Sequence, residues 1–162
     1  MFTVNDLIDI AVRMEKNGEA RYLAAKKQIK EKKLQSFLQW MADEEADHCQ
    51  WFENKKHHWV PETHQTDLET MLPDVIKEMM GDKALSLDDV NFSQVGSARA
   101  LFEIFVSFEN DTILFYEFLQ TFIQEPDVLA GLEKIVAQEK KHVAEIQKMI
   151  QALADEATRR TI

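Results

Sequence analysis

Sliding the 162-residue sequence along itself by 94 positions lays one half on the other, and this limits the fold more than any other feature. Leu7 falls on Leu101, Ile10 on Ile104, Val12 on Val106, Ile29 on Ile123 and Leu38 on Leu132. Any two amphipathic helices give some matches of that kind. Glu15 also falls on Glu109, Tyr22 on Tyr116, Glu45 on Glu139 and His48 on His142. Matches of Glu, Tyr, Glu and His at a single offset do not come from periodicity alone. The chain reads as two copies of one helical hairpin.

The apolar pattern has helical spacing in both copies. Residues 3 to about 29 read as a first helix, with Leu7, Ile8, Ala11, Val12, Glu15, Tyr22 and Ile29 recurring and Thr3 as a candidate N-cap. Lys26 to Lys33 marks its end and the following turn. Residues 34 to about 58 read as a second helix, closed by Pro61 at the latest. Residues 97 to about 124 read as a third and Pro126 to about 157 as a fourth. The expected domain is thus a single unit over 1–162, with hairpins 3–58 and 97–157 and a crossover 59–96. The crossover holds Pro61, Pro73, Gly81 and Gly96, with short helices expected near Asp67–Met80 and Ser86–Asn91. A connection of this length can return the chain to the far end of a bundle, so that helices two and three run parallel.

Hairpin geometry checks the repeat independently. Carboxylates level across an antiparallel hairpin are equidistant from its turn. Glu15 and Glu45 centre on residue 30, in the Lys-rich turn; Glu109 and Glu139 centre on residue 124, beside Pro126. Residues three apart share a helix face, so Glu45 with His48, and Glu139 with His142, can both point inward. Four ionised Glu inside a bundle are prohibitively costly unless compensated, and two divalent cations balance four carboxylates. A mixed oxygen and nitrogen donor set suits iron or manganese better than thiolate-seeking metals. The expected metal ligands are Glu15, Glu45, His48, Glu109, Glu139 and His142.

These residues carry a family resemblance. Glu on two helices with Glu-x-x-His on the other two resembles the ferritin-like di-iron or di-manganese carboxylate proteins. The Glu-to-Tyr spacing of seven and the run Asp43-Glu44-Glu45-Ala46-Asp47-His48 are similar to the rubrerythrin branch. The resemblance implies an all-α, ferritin-like four-helix bundle of two hairpins joined by a long crossover. It implies two iron ions, with manganese as the alternative. Glu45 and Glu139 would bridge them, Glu15 and Glu109 would be terminal, and His48 and His142 would each cap one metal. Tyr22 and Tyr116 would stand behind the carboxylates. The implied activity is reduction of peroxide or dioxygen, or else oxidation and handling of ferrous iron. The chain departs from full rubrerythrins twice. They carry a four-cysteine rubredoxin domain, whereas this chain has one cysteine, Cys49, so electrons would come from a separate donor such as a rubredoxin-type protein. They also place an extra glutamate one turn away on the third helix, where this chain has Val106 and Thr112 around Glu109; Glu19 on helix one is the remaining candidate carboxylate.

Composition narrows the partners. A net charge of −10 disfavours nucleic acid and anionic lipid. A lone cysteine excludes an intrachain disulfide and fits a reducing cytoplasm. Asp6 and Asp9 interrupt the apolar pattern of the N-terminus, and no stretch is apolar enough to span a bilayer. Helix three carries a second apolar stripe, Leu101, Ile104, Phe108, Phe115 and Phe122, which the crossover or a second subunit must cover; a homodimer is expected. The remaining candidates have plainer readings. Asp43, Glu44, Asp47, Glu103 and Glu117 read as solvated helix-face charges. His57, His58 and His64 read as a polar helix end and loop, Cys49 as a small packed thiol, and Met71, Met79 and Met80 as crossover packing.

Overall fold

A computed structural model describes residues 4–56 and 95–160. The expected crossover with its short helices, the Thr3 cap, His57, His58, His64, Met71, Met79 and Met80 lie outside the described residues. Among those described there are four helices: α1 (Val4–Gln28), α2 (Lys32–Lys55), α3 (Ala98–Gln120) and α4 (Pro126–Arg160). Their ends follow local chemistry. Asp6 lies in the first turn of α1 and Lys26 and Lys27 in its last, each with the sign that favours the helix dipole. The Ser97 side chain accepts a hydrogen bond from the Ala100 amide and caps α3. Pro126 opens α4 at a position whose missing N–H costs nothing.

Two boundaries differ from expectation. Helix α3 stops at Gln120 rather than near 124, because the chain tightens there. The amides of Thr121, Phe122 and Ile123 bond three residues back, and the Thr121 hydroxyl takes the Phe118 carbonyl. Helix α4 continues to Arg160 rather than ending near 157. The turns fall at 29–31 and 121–125 and contain both predicted midpoints.

The topology follows from which ends share a core. One apolar cluster joins Leu7, Ile8, Ala11 and Met14 of α1, Phe52 of α2, Ile113 to Leu119 of α3 and Val128 to Val136 of α4. A second joins Tyr22 and Ala25 of α1, Leu34 to Ala42 of α2, Leu101 to Phe105 of α3 and Ile146 of α4. Helices α2 and α3 both run from the second cluster to the first and are therefore parallel, while α1 and α4 run the other way. This is the ferritin-like four-helix bundle. Each fully buried Leu, Ile or Phe contributes about 1.5–3 kcal/mol, so the two clusters hold a polar layer between them from both ends.

The second stripe of α3 is largely closed within the chain. Leu101, Phe108 and Phe115 are buried, and Ile104 and Phe122 are half-buried. Phe108 approaches α1 at Gly18, where an added Cβ would come within 3.2 Å of its ring. Among the described residues Leu114, 49% exposed, is the large hydrophobic side chain left open.

Candidate metal centre

The layer between the two clusters contains all six residues expected from the repeat. Glu15, Glu45, Glu109, Glu139 and His142 are at most 1% exposed and His48 is 3% exposed. They form two overlapping groups. In Glu15, Glu45, His48 and Glu139, and again in Glu45, Glu109, Glu139 and His142, one donor atom from each residue lies within 4.8 Å of the others. Glu45 and Glu139 belong to both groups, Glu15 and His48 only to the first, Glu109 and His142 only to the second. Glu19 is half-buried and belongs to neither.

Both imidazoles turn Nδ1 toward the carboxylates. His48 Nδ1 lies 2.7 Å from Glu139 and 3.7 Å from Glu15. His142 Nδ1 lies 2.9 Å from Glu139, 3.4 Å from Glu45 and 3.8 Å from Glu109. The rings stack with centroids 5.7 Å apart. Trp40 meets His142 edge-on at 5.4 Å, and the Lys141 ammonium lies over the Trp40 ring.

The tyrosines exchange partners between the hairpins. Tyr22 of the first donates its hydroxyl to Glu109 of the second, and Tyr116 of the second donates to Glu15 of the first. Both rings are buried, Tyr22 against Phe105 and Tyr116 against Phe52. Burial, then the facing carboxylates, pushes both phenols well above their ordinary range, which keeps them as donors. A spacing of seven puts each Tyr on the same helix face as its own Glu. It does not say which Glu the hydroxyl reaches.

The site's charge is frustrated. Burial and then Glu139 raise Glu45 far above the usual carboxylate range, and burial with Glu139 pushes Glu109 to about 8. Glu139 goes the other way. Burial would raise it, but the hydrogen bond with His142 and the facing His48 imidazole outweigh burial and depress it. Burial likewise pulls His48 and His142 down, and the surrounding carboxylates more than reverse this, to about 11 and about 10.

Hydrogen bonding leaves the layer unsatisfied. Glu15 Oε2, both Glu45 oxygens, Glu109 Oε2, Glu139 Oε1, both His48 nitrogens and His142 Nε2 are buried without a hydrogen-bond partner. Elsewhere among the described residues only Asn5 Oδ1 shares that condition. Buried polar atoms are normally paired, so such a concentration of carboxylate oxygens and imidazole nitrogens fits a divalent metal site.

Neighbouring residues are plainer. Thr112, one turn after Glu109, is buried, but its hydroxyl donates to the Phe108 carbonyl. Cys49 is buried, and burial and then Glu53 raise its thiol to about 11. Asp43, Asp47 and Glu103 are exposed as expected, and Glu117 pairs with Lys140. Glu44 departs from the solvated reading: it is half-buried, with Oε2 3.7 Å from His142 Nε2. The signal in the sequence is its repeat partner: Gln138 falls on Glu44 at the same offset of 94.

Fold and site together define a ferritin-like helical bundle with a buried Glu/His metal-site candidate. The family model for rubrerythrin matches residues 6–88, just over half of the chain, and the chain belongs to the rubrerythrin family. That match contains Glu15, Glu45 and His48; Glu109, Glu139 and His142 lie beyond it. A crystal structure from Thermotoga maritima, described as a ferritin-like diiron-carboxylate protein, is similar in fold, with a TM-score of 0.65 at 21% identity. The similarity covers 93% of this chain and 95% of that one. No curated protein matches. Among the described residues no helix is long and apolar enough to cross a membrane.

Proposed function

We propose that this protein is a non-haem di-metal oxidoreductase that reduces peroxide or dioxygen with electrons from a separate donor protein. Glu15, Glu45, His48, Glu109, Glu139 and His142 would hold two iron ions, or two manganese ions, with Glu45 and Glu139 shared between them. The observation that carries the reading is the run of buried, unpartnered donor atoms on these six residues. When bound, a pair of ferrous ions supplies two electrons to one oxidant molecule at adjacent positions.

The chain's own residues would do the rest. The apolar clusters on either side exclude water from the layer. Tyr22 and Tyr116 orient Glu109 and Glu15 by hydrogen bonding and keep their own protons. Exposed Leu114, with half-buried Phe118 four residues on and half-buried Phe122 in the following turn, supports a homodimer through the C-terminal end of α3. Light scattering across micromolar concentrations tests it, and a monomer throughout would remove it.

A second reading is ferrous iron oxidation and handling without peroxidase turnover. Helix α3 favours it. The positions one turn either side of Glu109 are Val106 and Thr112, so α3 offers no further carboxylate there. The test is stopped-flow mixing of the ferrous-loaded protein with peroxide and, separately, with dioxygen. Rapid oxidation by peroxide with sustained turnover on a reduced donor is expected. Oxidation by dioxygen without donor-supported turnover would select the second reading, and no reaction with either oxidant would overturn both.

A further inference from the structure

The repeat is broken at one pair beside the site. Glu44 and Gln138 are equivalent positions in the two hairpins, and they touch: Gln138 Nε2 donates to Glu44 Oε2 at 3.4 Å. Repeat partners that meet lie on the local two-fold axis relating the hairpins. Two identical residues there would treat the two histidines alike. Here one is a carboxylate and the other an amide, and the carboxylate faces His142, with Oε2 3.7 Å from Nε2.

That nitrogen is buried and lacks a hydrogen-bond partner, as is Nε2 of His48. An imidazole that offers Nδ1 to a metal carries its proton on Nε2 and needs an acceptor for it. For His142 the acceptor is in place, a modest closure away, and it is negatively charged. Among the ion pairs of the described residues, His48 makes contacts through Nδ1 only. Gln138 clamps the same Glu44 oxygen from α4, so the carboxylate is already aimed.

Resting on the di-metal reading, we propose that Glu44, steadied by Gln138, is the positioning residue for His142. It makes the two halves of the centre unequal: the subsite of Glu109 and His142 binds metal more tightly and fills first, and the subsite of Glu15 and His48 fills second. A carboxylate accepting the outer N–H fixes the ring's tautomer and orientation and makes its metal-facing nitrogen a stronger donor. A partner of this kind is worth roughly 10- to 100-fold in metal affinity.

The experiment is calorimetric titration of the metal-free protein with Zn(II), with parallel 15N NMR of the histidine rings. The wild type should show two binding steps. The first equivalent should shift the His142 nitrogens while His48 stays unchanged, with the His142 proton on Nε2. Glu44→Gln should weaken the first step roughly 10- to 100-fold and leave the second within about twofold. Gln138→Ala, which removes the clamp but keeps the carboxylate, should weaken the same step by a smaller factor. Because Glu44 is half-exposed on a helix, the metal-free melting temperature of both variants should match the wild type, which separates positioning from folding. Two equal steps, simultaneous response of both histidines, or a first step indifferent to Glu44→Gln would overturn the proposal while leaving the metal centre intact. No metal uptake by the wild type would overturn the metal-centre reading itself.

Discussion

Glu45 and Glu139 occupy equivalent places in the two hairpins, yet in the metal-free chain burial raises Glu45 well above the usual carboxylate range while two histidines lower Glu139. Glutamine is the neutral isostere of a protonated glutamate. Glu45→Gln should therefore leave the melting temperature of the metal-free protein unchanged or higher, while metal uptake falls below two ions per chain. Calorimetry and metal analysis read the two effects separately. The tyrosines behave differently. Tyr22→Phe strands a buried Glu109 oxygen and should cost about 1–3 kcal/mol in urea unfolding, and Tyr116→Phe should cost the same through Glu15. The six clustered residues were legible in the sequence because two spacings, repeated at one offset, fix which side chains face inward. The tyrosine exchange and the approach of Glu44 to His142 were not. Helical spacing gives a direction from one axis, whereas a partner on another helix depends on how the two axes pack.

At the scale of the helix, two glycines set how closely the hairpins close. A Cβ on Gly131 of α4 would lie 2.4 Å from the Trp51 indole of α2, too close for both to stay in place. Alanine gains about 1 kcal/mol in a helix interior over glycine, but overpacking costs about 1–3 kcal/mol. Gly131→Ala should therefore lower the melting temperature, and a rise would show that the indole moves freely. Gly18 of α1 is a milder case. Its Cβ would meet Glu45 Oε2 and Phe108 at 3.2 Å, so the neighbours need yield only a few tenths of an ångström. Gly18→Ala should retain the fold but displace the Glu45 carboxylate and weaken metal binding in a titration. Helix existence was readable from periodicity and from the Lys-rich and Pro-containing breaks. Helix ends were less so: the tightened turn closing α3 depends on the Thr121 hydroxyl finding the Phe118 carbonyl.

For the whole molecule, the central layer sets the response to pH. Glu45, Glu109, His48 and His142 all bind protons more tightly in the folded chain than in the unfolded one. Their contribution to metal-free stability is full below the ordinary carboxylate and imidazole values and is lost as pH rises through about 8 for Glu109, about 10 for His142 and about 11 for His48. Glu139 has the opposite sign, and its contribution is lost only in acid. The metal-free melting temperature should therefore fall between about pH 6 and about pH 9. Metal affinity should climb over the same range, because the protons it displaces become easier to remove. A metal-free form that grows more stable with alkalinity would contradict this assignment. The parallel course of α2 and α3 was legible from the length between the hairpins, since a short connection would have forced them antiparallel. Anaerobic titration of the metal-free protein with ferrous ion, with proton release followed in the same cell, tests the buried metal centre most directly. Two ions bound per chain, each expelling protons, is the predicted result; a chain that takes up none, or that binds as well after Glu45→Gln and Glu139→Gln together, would contradict it.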